Sequence, residues 1–283
     1  MDSKIHPTAV IHPSAELGVD VEVGPYSVVG AEVRIGDRTR IGSQVVIDGR
    51  TTIGEDNLIV GQANLGAPPQ DISYRGEATE LVIGDRNKIR EFVTINRGTI
   101  KGGGVTSIGS DNLLMACCHV AHDCEIEDQV ILANTVLLAG HVKVCSGAAI
   151  SGLSAAHHFV TVGRNAYVGG MSRMSQDVPP FMLLEGHPAR VRRVNVIGLR
   201  RAGFEEAQIE SLQHAFREIY RSGNPRRATL DALKADPGQA GVVLELVESL
   251  ERTGQGLKGR YRESLRAEFA DQGEGLFTAV DHA

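Results

Sequence analysis

The stretch "VEVGPYSVVGAEVRIGDRTRIG", residues 21–42, places an aliphatic residue followed by glycine at every sixth position. Eleven consecutive positions with this spacing, from Ile5 to Leu65, are all aliphatic. A period of six fits neither the stripe of about 3.6 residues of a helix nor the alternation of an ordinary strand. It is typical of a parallel β-helix, in which each hexapeptide forms one short strand and three strands complete a coil. We expect the aliphatic residues to point into the prism and the glycines to allow tight corners.

The six-residue register returns at Ile108 and continues to Met174. Between the two runs, residues 67–80 would place Asp71 and Glu77 inside the prism, where unpaired carboxylates are costly, so we predict a loop there. Residues 100–107, "IKGGGVTS", shift the register by one and predict a second loop. Loops that interrupt a rigid solenoid are common places for functional sites.

The repeat is predicted to end near "DVPPFM", residues 177–182, where two prolines oppose strand pairing. Three helices are predicted beyond it from apolar residues at helical spacing. These residues are Ile209, Leu212, Phe216 and Ile219, then Leu230 and Leu233, then Val243, Leu246, Val247 and Leu250. The predicted domains are a parallel β-helix over 1–190 and a C-terminal helical domain over 191–283. The last stretch, from about Gly254, is polar and is a candidate flexible tail.

Net charge, apolar runs and cysteine content indicate which partners and cellular compartments to expect. The net charge of −6 gives no reason to expect nucleic acid or an anionic membrane as the main partner. The N-terminus lacks a signal pattern, and no apolar run approaches the length of about 18 residues that a membrane span requires. The four cysteines lack the spread of a disulfide framework, so we expect reduced thiols in a cytoplasmic protein.

The stretch "HVAHDC", residues 119–124, is the strongest candidate site. Residues 18 apart stack on successive coils roughly 5 Å apart, so His141 should lie over Asp123, and Gly140 over His122. Histidine titrates near neutrality and suits proton abstraction from a hydroxyl, with Asp123 orienting it and the Gly140 N–H stabilising an oxyanion. Five of the ten histidines share this region: His119, His122, His141, His157 and His158.

Two other functions are alternatives for this region. Cys117, Cys118 and Cys124 are zinc-ligand types close to the histidines, but no CxxC pair is present, so we expect no metal and assign the cysteines to packing. A metal-dependent enzyme like the gamma-class carbonic anhydrases, which share the fold, is the first alternative. A non-catalytic β-helix used for assembly is the second, although it has no need for clustered histidines.

Five segments resemble the UDP-N-acetylglucosamine O-acyltransferases, which carry out the first acyl transfer of lipid A biosynthesis in Gram-negative bacteria. They are "IGDRNKIREFVTINRGT", "GGGVTSIGSDNLLMACCHVAHDC", "ILANTVLLAGHV", "YVGGMSRMSQDVPPFM" and "GLRRAGF". They lie in order, and the resemblance covers roughly residues 4–225, beyond which the chain is longer or more divergent than usual.

The resemblance implies an all-β left-handed parallel β-helix with a C-terminal α-helical domain. It also implies a homotrimer with active sites between neighbouring prisms and no cofactor. The implied reaction moves an (R)-3-hydroxyacyl chain from acyl carrier protein to the 3-hydroxyl of the UDP-sugar.

The resemblance also implies roles for individual residues. His122 corresponds to the general base, Asp123 to its orienting partner, and Gly140 to the residue whose N–H meets the thioester oxygen. Gly170 corresponds to the position that limits acyl length, where glycine favours a longer chain. The substrate-binding positions are Asp71, His119, His141, His157, His158, Asn195 and Arg201.

Several positions depart from the family pattern. Ser73 replaces a lysine, Ile197 a glutamate, Ala202 an arginine and His158 a glutamine, while Cys117 stands where asparagine is expected. Because most of these departures fall at substrate contacts, acyl transfer to a 3-amino sugar nucleotide, giving an amide, is an alternative.

Overall fold

The computed structural model describes residues 4–266, which form a three-sided prism of short parallel strands followed by helices. The strands form three sheets, here called faces A, B and C, and successive strands along the chain visit them in turn. This arrangement confirms the parallel β-helix with three strands per coil that the hexapeptide period predicts.

Face A contains eleven strands. They are β1 (Lys4–Ile5), β4 (Glu22–Val23), β7 (Arg40–Ser43), β10 (Leu58–Gly61), β13 (Lys88–Ile89), β16 (Leu113–Leu114), β19 (Ile131–Leu132), β22 (Ala149–Ile150), β25 (Tyr167–Val168), β27 (Met182–Gly186) and β28 (Ala189–Val194).

Faces B and C contain nine and eight strands. Face B has β2 (Val10–Ile11), β5 (Val28–Val29), β8 (Val46–Ile47), β11 (Asn64–Ala67), β14 (Thr94–Asn96), β17 (His119–Val120), β20 (Leu137–Leu138), β23 (Ala155–Ala156) and β26 (Arg173–Met174). Face C has β3 (Glu16–Leu17), β6 (Val33–Ile35), β9 (Arg50–Ile53), β12 (Glu80–Ile83), β15 (Val105–Ile108), β18 (Glu125–Ile126), β21 (Lys143–Val144) and β24 (Thr161–Val162).

The hexapeptide aliphatic residues form the core of the prism. Ile47, Ile59 and Leu65 are fully buried in the interior, where each contributes about 2–3 kcal/mol of hydrophobic stabilisation. Ile5 belongs to the same register but is 37% exposed, because no described coil covers the open end beneath it. The prism therefore has one exposed end and depends on its helices to cover the other.

Both interrupting loops leave the prism at the corner between faces B and C, here called the BC corner. The first, residues 68–79, lengthens the coil so that Ile53 pairs with Ile83. The second, residues 97–104, contains a short 3-10 turn at Ile100–Gly102. It begins and ends three residues earlier than the predicted 100–107, because β14 ends at Asn96 and β15 begins at Val105, where it pairs with β12.

The C-terminal region closes the last coil. The prolines do not end the sheet: β27 follows them and pairs in parallel with β25, then turns into an antiparallel hairpin with β28. Up to residue 266, five helices follow: α1 (Val196–Arg201), α2 (Glu206–Tyr220), α3 (Arg226–Ala235), α4 (Gly241–Gln255) and α5 (Tyr261–Ser264). Helix α2 begins with a capping box, in which the Glu205 and Gln208 side chains each accept from the other's backbone N–H.

Candidate active site

The BC corner stacks three residues that have a left-handed backbone conformation. Asp123, His141 and Phe159 have φ values of 61°, 62° and 63°. Their coils are joined by backbone hydrogen bonds of 3.0 Å from His141 N to His122 O and 3.2 Å from Phe159 N to Gly140 O. The stacking brings the His141 Nε2 to 3.6 Å from an Asp123 carboxylate oxygen, as the 18-residue spacing predicts.

His122, which is partly buried, and the buried Asp123 form a hydrogen-bonded pair. The His122 Nδ1 lies 2.7 Å from Asp123 Oδ2, and the Asp123 side chain is completely buried. Because a carboxylate accepts hydrogen bonds, Nδ1 carries the proton and Nε2 keeps its lone pair. The pair therefore holds His122 in the tautomer that a general base requires.

Thr99, in the second loop, fixes the Asp123 carboxylate from above. Its backbone N–H donates to Asp123 Oδ1 at 2.6 Å and its hydroxyl donates to Oδ2 at 2.7 Å. Gly102 crosses the same carboxylate so closely that a Cβ there would lie 2.0 Å from Asp123 Cγ. Sequence reasoning did not identify Thr99, because its role depends on a loop folding back over the turn.

Gly140 lies directly against the His122 ring. A Cβ at this position would be 2.5 Å from the His122 Cε1 atom, so a larger residue would displace the imidazole. Among residues 4–266 no acceptor takes the Gly140 N–H. The backbone at Gly140 can therefore offer its N–H to a bound oxygen next to the His122 ring.

The remaining histidines extend the same site. His141 stacks on Phe159 with ring centroids 4.2 Å apart, and His122 meets His141 edge-on at 5.3 Å. The His157 and His158 rings lie 3.8 Å apart on the next coil. The structure thus brings together His122, His141, His157 and His158 on successive coils, as the 18-residue spacing predicts.

Burial controls the charge of these rings. Burial lowers the pKa of His141 to about 4, although the Asp123 carboxylate opposes the shift. Burial also lowers the pKa of His119 and of His158, with neighbouring His122 and His157 lowering them further. His119, whose Nδ1 lies 2.8 Å from the Thr94 hydroxyl, and His141 are therefore neutral hydrogen-bonding groups at pH 7.

Asp71 is held by a network between the two loops. Its Oδ1 accepts from the Ser73 N–H and from the Ser73 hydroxyl, both at 2.7 Å, and these bonds lower the pKa of Asp71. Lys101, in the second loop, donates to the Ser73 hydroxyl at 2.8 Å. Lys101 is a second residue that sequence reasoning missed. The Lys101 ammonium group lies beside Ser73, the residue that stands where the family pattern has a lysine.

Three of the residues predicted from the resemblance lie away from the BC corner. Gly170 lies in the turn between β25 and β26, at the corner between faces A and B. The Asn195 side chain caps α1 at Gly198 and donates to Asn165 O, in the turn between faces C and A. Arg201 is exposed at the end of α1. One subunit therefore does not bring these residues to His122.

The ligand geometry does not favour a metal at the His122–Asp123 pair. His122, Asp123 and His141 have potential ligand atoms within 4.8 Å of one another. However, both Asp123 oxygens already accept from Thr99, and the His122 Nδ1 is bonded to the same carboxylate. A metal would have to displace these bonds, so the geometry suits acid-base chemistry better.

The cysteines do not share one environment. Cys118 and Cys124 are buried in the core, where burial raises their thiol pKa values to about 11 and about 12. Cys145 is partly buried, and burial raises its pKa to about 11. The prediction that the cysteines near the histidines pack as apolar residues is wrong for Cys117, which is exposed at a corner of the prism.

No helix within residues 4–266 is both long and apolar enough to cross a bilayer. The longest helices, α2 and α4, have 15 residues each.

Comparison with known proteins identifies relatives along most of the chain. The family described as "Udp N-acetylglucosamine O-acyltransferase; Domain 2" matches residues 177–258. Three curated relatives are named acyl-(acyl-carrier-protein)–UDP-N-acetylglucosamine O-acyltransferase. The protein from Verminephrobacter eiseniae is 50% identical over 83% of this chain and 90% of its own length. That from a Janthinobacterium species is 46% identical over 90% and 99%. That from Gloeothece citriformis is 54% identical over 60% of this chain and 62% of its own length.

Solved structures agree with the sequence relatives. The UDP-N-acetylglucosamine acyltransferase of Francisella novicida superposes with a TM-score of 0.84 at 34% identity, covering 87% of this chain and 91% of that one. The Bacteroides fragilis enzyme also gives 0.84, at 38% identity, covering 87% and 96%. The predicted left-handed β-helix with C-terminal helices is thereby confirmed. The chain belongs to the acyl-(acyl-carrier-protein)–UDP-N-acetylglucosamine O-acyltransferase family.

Proposed function

We propose that this protein transfers an (R)-3-hydroxyacyl chain from acyl carrier protein to the 3-hydroxyl of UDP-N-acetylglucosamine, the first acyl transfer of lipid A biosynthesis. The observation that carries the proposal is the His122–Asp123 pair beside a Gly140 N–H that no acceptor within residues 4–266 takes, in a chain whose relatives are named for this reaction. A cytoplasmic location stays a prediction.

The proposed mechanism uses His122 as base and then as acid. Its Nε2 takes the proton of the sugar 3-hydroxyl as the oxygen attacks the thioester carbonyl carbon. The carbonyl electrons move to oxygen, and the resulting oxyanion accepts a hydrogen bond from the Gly140 N–H. When the tetrahedral intermediate collapses, the C–S bond breaks and the departing carrier thiolate receives the proton from His122. Asp123 stabilises the imidazolium between the two steps.

We further propose that the active enzyme is a homotrimer. Residues predicted from the resemblance support this proposal, because Gly170 and Asn195 lie at corners of the prism that do not contain His122, and Arg201 lies at the end of α1. If a neighbouring subunit presents its corner to the BC corner, acyl and nucleotide contacts from that subunit complete the site.

The comparisons favour an oxygen acceptor over the 3-amino alternative, since the curated relatives are named O-acyltransferases. They also favour acyl transfer over the metal-dependent alternative. The Lys101–Ser73–Asp71 network further supports the hydroxyl acceptor, because it supplies a cation near the position where the family's lysine is missing.

The test is incubation of the purified protein with a panel of (R)-3-hydroxyacyl carrier proteins and either UDP-N-acetylglucosamine or its 3-amino analogue. We expect ester formation on the first acceptor and a loss of about 10²- to 10⁴-fold in turnover for His122→Ala. His214→Ala, an exposed histidine on α2, is the matched control and should turn over normally.

Three results would contradict the proposal. Wild-type turnover by His122→Ala would reject the general base, and acyl transfer only to the amino analogue would reject the hydroxyl acceptor. Stoichiometric metal whose removal by a chelator abolishes activity would favour the metal-dependent alternative.

A further inference from the structure

The segment Gly256–Arg266, here called the C-terminal strap, runs from α4 back to the BC corner. Its first half is fixed to the last coil at Asp177, whose N–H donates to Gly259 O at 2.8 Å and whose Oδ2 accepts from the Tyr261 N–H at 2.8 Å. The buried Arg260 side chain also donates to Ser175 O at 2.8 Å. The matched family domain ends at residue 258, so most of the strap lies beyond it.

The second half of the strap lies beside the stacked histidines. Arg262 Nη2 lies 2.6 Å from Glu125 Oε1 on face C, and Glu263 Oε1 lies 3.8 Å from His158 Nε2. The Arg266 guanidinium lies 5.8 Å from the centre of the Phe159 ring. Since Phe159 stacks on His141, the strap is separated from the His122–Asp123 pair by only two rings.

Arg266 differs from the other arginines of the strap in its charge balance. Arg260 is paired with Glu263, and Arg262 with Glu125. Arg266 is exposed and has no carboxylate partner within 4 Å in the part of the chain that the structure describes. No described carboxylate compensates this guanidinium, and it lies beside the Phe159 ring, which the His158 ring meets edge-on at 5.7 Å. Such a guanidinium is suited to a phosphate group, which the planar fork of arginine binds in bidentate fashion.

We propose that the C-terminal strap forms one wall of the active-site cleft and that Arg266, with His158, binds a phosphate group of a substrate. This inference rests on the proposed function, because both substrates of that reaction carry phosphate. The nucleotide sugar has a diphosphate, and the prosthetic arm of acyl carrier protein has a phosphodiester. Arg266 is thus a substrate-binding residue that the strap supplies from beyond the matched family domain.

The test compares Arg266→Gln with Arg221→Gln in the full-length protein. Arg221 is a matched control, because its guanidinium also lies 5.8 Å from an aromatic ring, that of Phe216 on α2, away from the BC corner. We expect Arg266→Gln to raise KM for one substrate about tenfold, with kcat changed less than twofold and Arg221→Gln unaffected. A higher KM for the nucleotide sugar assigns the diphosphate, and a higher KM for the carrier protein assigns its arm.

If both KM values of Arg266→Gln stay within twofold of wild type, the proposal is wrong. Should the wild-type protein acylate no acceptor, calorimetric titration with uridine diphosphate and with 4′-phosphopantetheine separates the two hypotheses. Weaker binding of either probe to Arg266→Gln than to wild type supports the phosphate site without the proposed reaction. Equal binding, or none, overturns it.

Discussion

At the scale of single residues, the backbone conformation at Asp123 sets the geometry of the His122–Asp123 pair. Its positive φ turns the chain at the corner, so that the carboxylate folds back onto the preceding His122 ring instead of pointing away from it. A non-glycine residue in this conformation costs of the order of 1 kcal/mol. The three hydrogen bonds that the carboxylate accepts, from Thr99 and His122, offset that cost.

His141 predicts a pH dependence of stability. Its pKa in the folded protein, about 4, is below the ordinary value of 6.5, so between these pH values the unfolded chain binds a proton that the folded chain does not. Stability from this group is present above pH 6.5 and is lost as the pH falls toward 4. Between pH 7 and pH 5 we expect wild type to lose about 2 kcal/mol more per subunit than His141→Gln.

Denaturant unfolding at the two pH values measures this difference. Burial raises the pKa of Asp177 to about 6, which acts in the opposite direction. That effect is common to both proteins and cancels in the comparison. An equal loss of stability in wild type and His141→Gln would show that His141 does not carry the effect.

At the scale of elements, the two loops function as one unit above the BC corner. The hydrogen bond from Lys101 to the Ser73 hydroxyl joins them, and Ser73 in turn holds Asp71. Loops that extend from a prism face contribute little to the core, so such links determine how firmly their polar groups are positioned.

Breaking the loop link should weaken substrate binding without abolishing chemistry. We expect Lys101→Gln to raise KM for the nucleotide sugar about 3- to 10-fold, because one hydrogen bond that positions Asp71 is lost. Adding Ser73→Lys, which restores the family's lysine, should recover most of the loss. Lys88→Gln, an exposed lysine on face A, is the control. Unchanged steady-state kinetics for Lys101→Gln would remove Lys101 from the site.

At the scale of the whole molecule, residues predicted to take part in catalysis or substrate binding lie at or against all three corners of the prism. His122 lies at the BC corner, Gly170 at the corner between faces A and B, and Asn195 contacts the corner between faces C and A. A rigid solenoid cannot bend to bring its corners together, so a shared site requires neighbouring subunits.

Gly170 provides the test of this arrangement. It is exposed, and a Cβ there would meet only Gly152 O at 3.4 Å and Ser151 Cβ at 4.0 Å, so a side chain fits without disturbing the fold. We expect Gly170→Met to shorten the preferred acyl chain, measured with carrier proteins of graded chain length. Gly254→Met, which has open space around it, should keep the wild-type preference. If Gly170→Met also keeps the wild-type preference, Gly170 does not limit the length of the acyl chain.

The period of six in the sequence was sufficient to predict the prism, its buried aliphatic column and the stacking of His141 over Asp123. Those features repeat at short, regular separations, and each coil needs only its neighbours. Thr99, Lys101 and the C-terminal strap could not be predicted in the same way. Their partners lie 24, 28 and up to 137 residues away, across loops and helices that have no repeat.

The sequence alone therefore determined where His122, Asp123 and Gly140 meet, because stacking converts a fixed spacing into contact. Only the tertiary structure decided what surrounds them: Thr99 on the carboxylate, Lys101 behind Ser73, and Arg266 above Phe159. The physical reason is that local repetition sets distances within the prism, whereas the path of an irregular segment depends on the contacts it makes after the chain has folded.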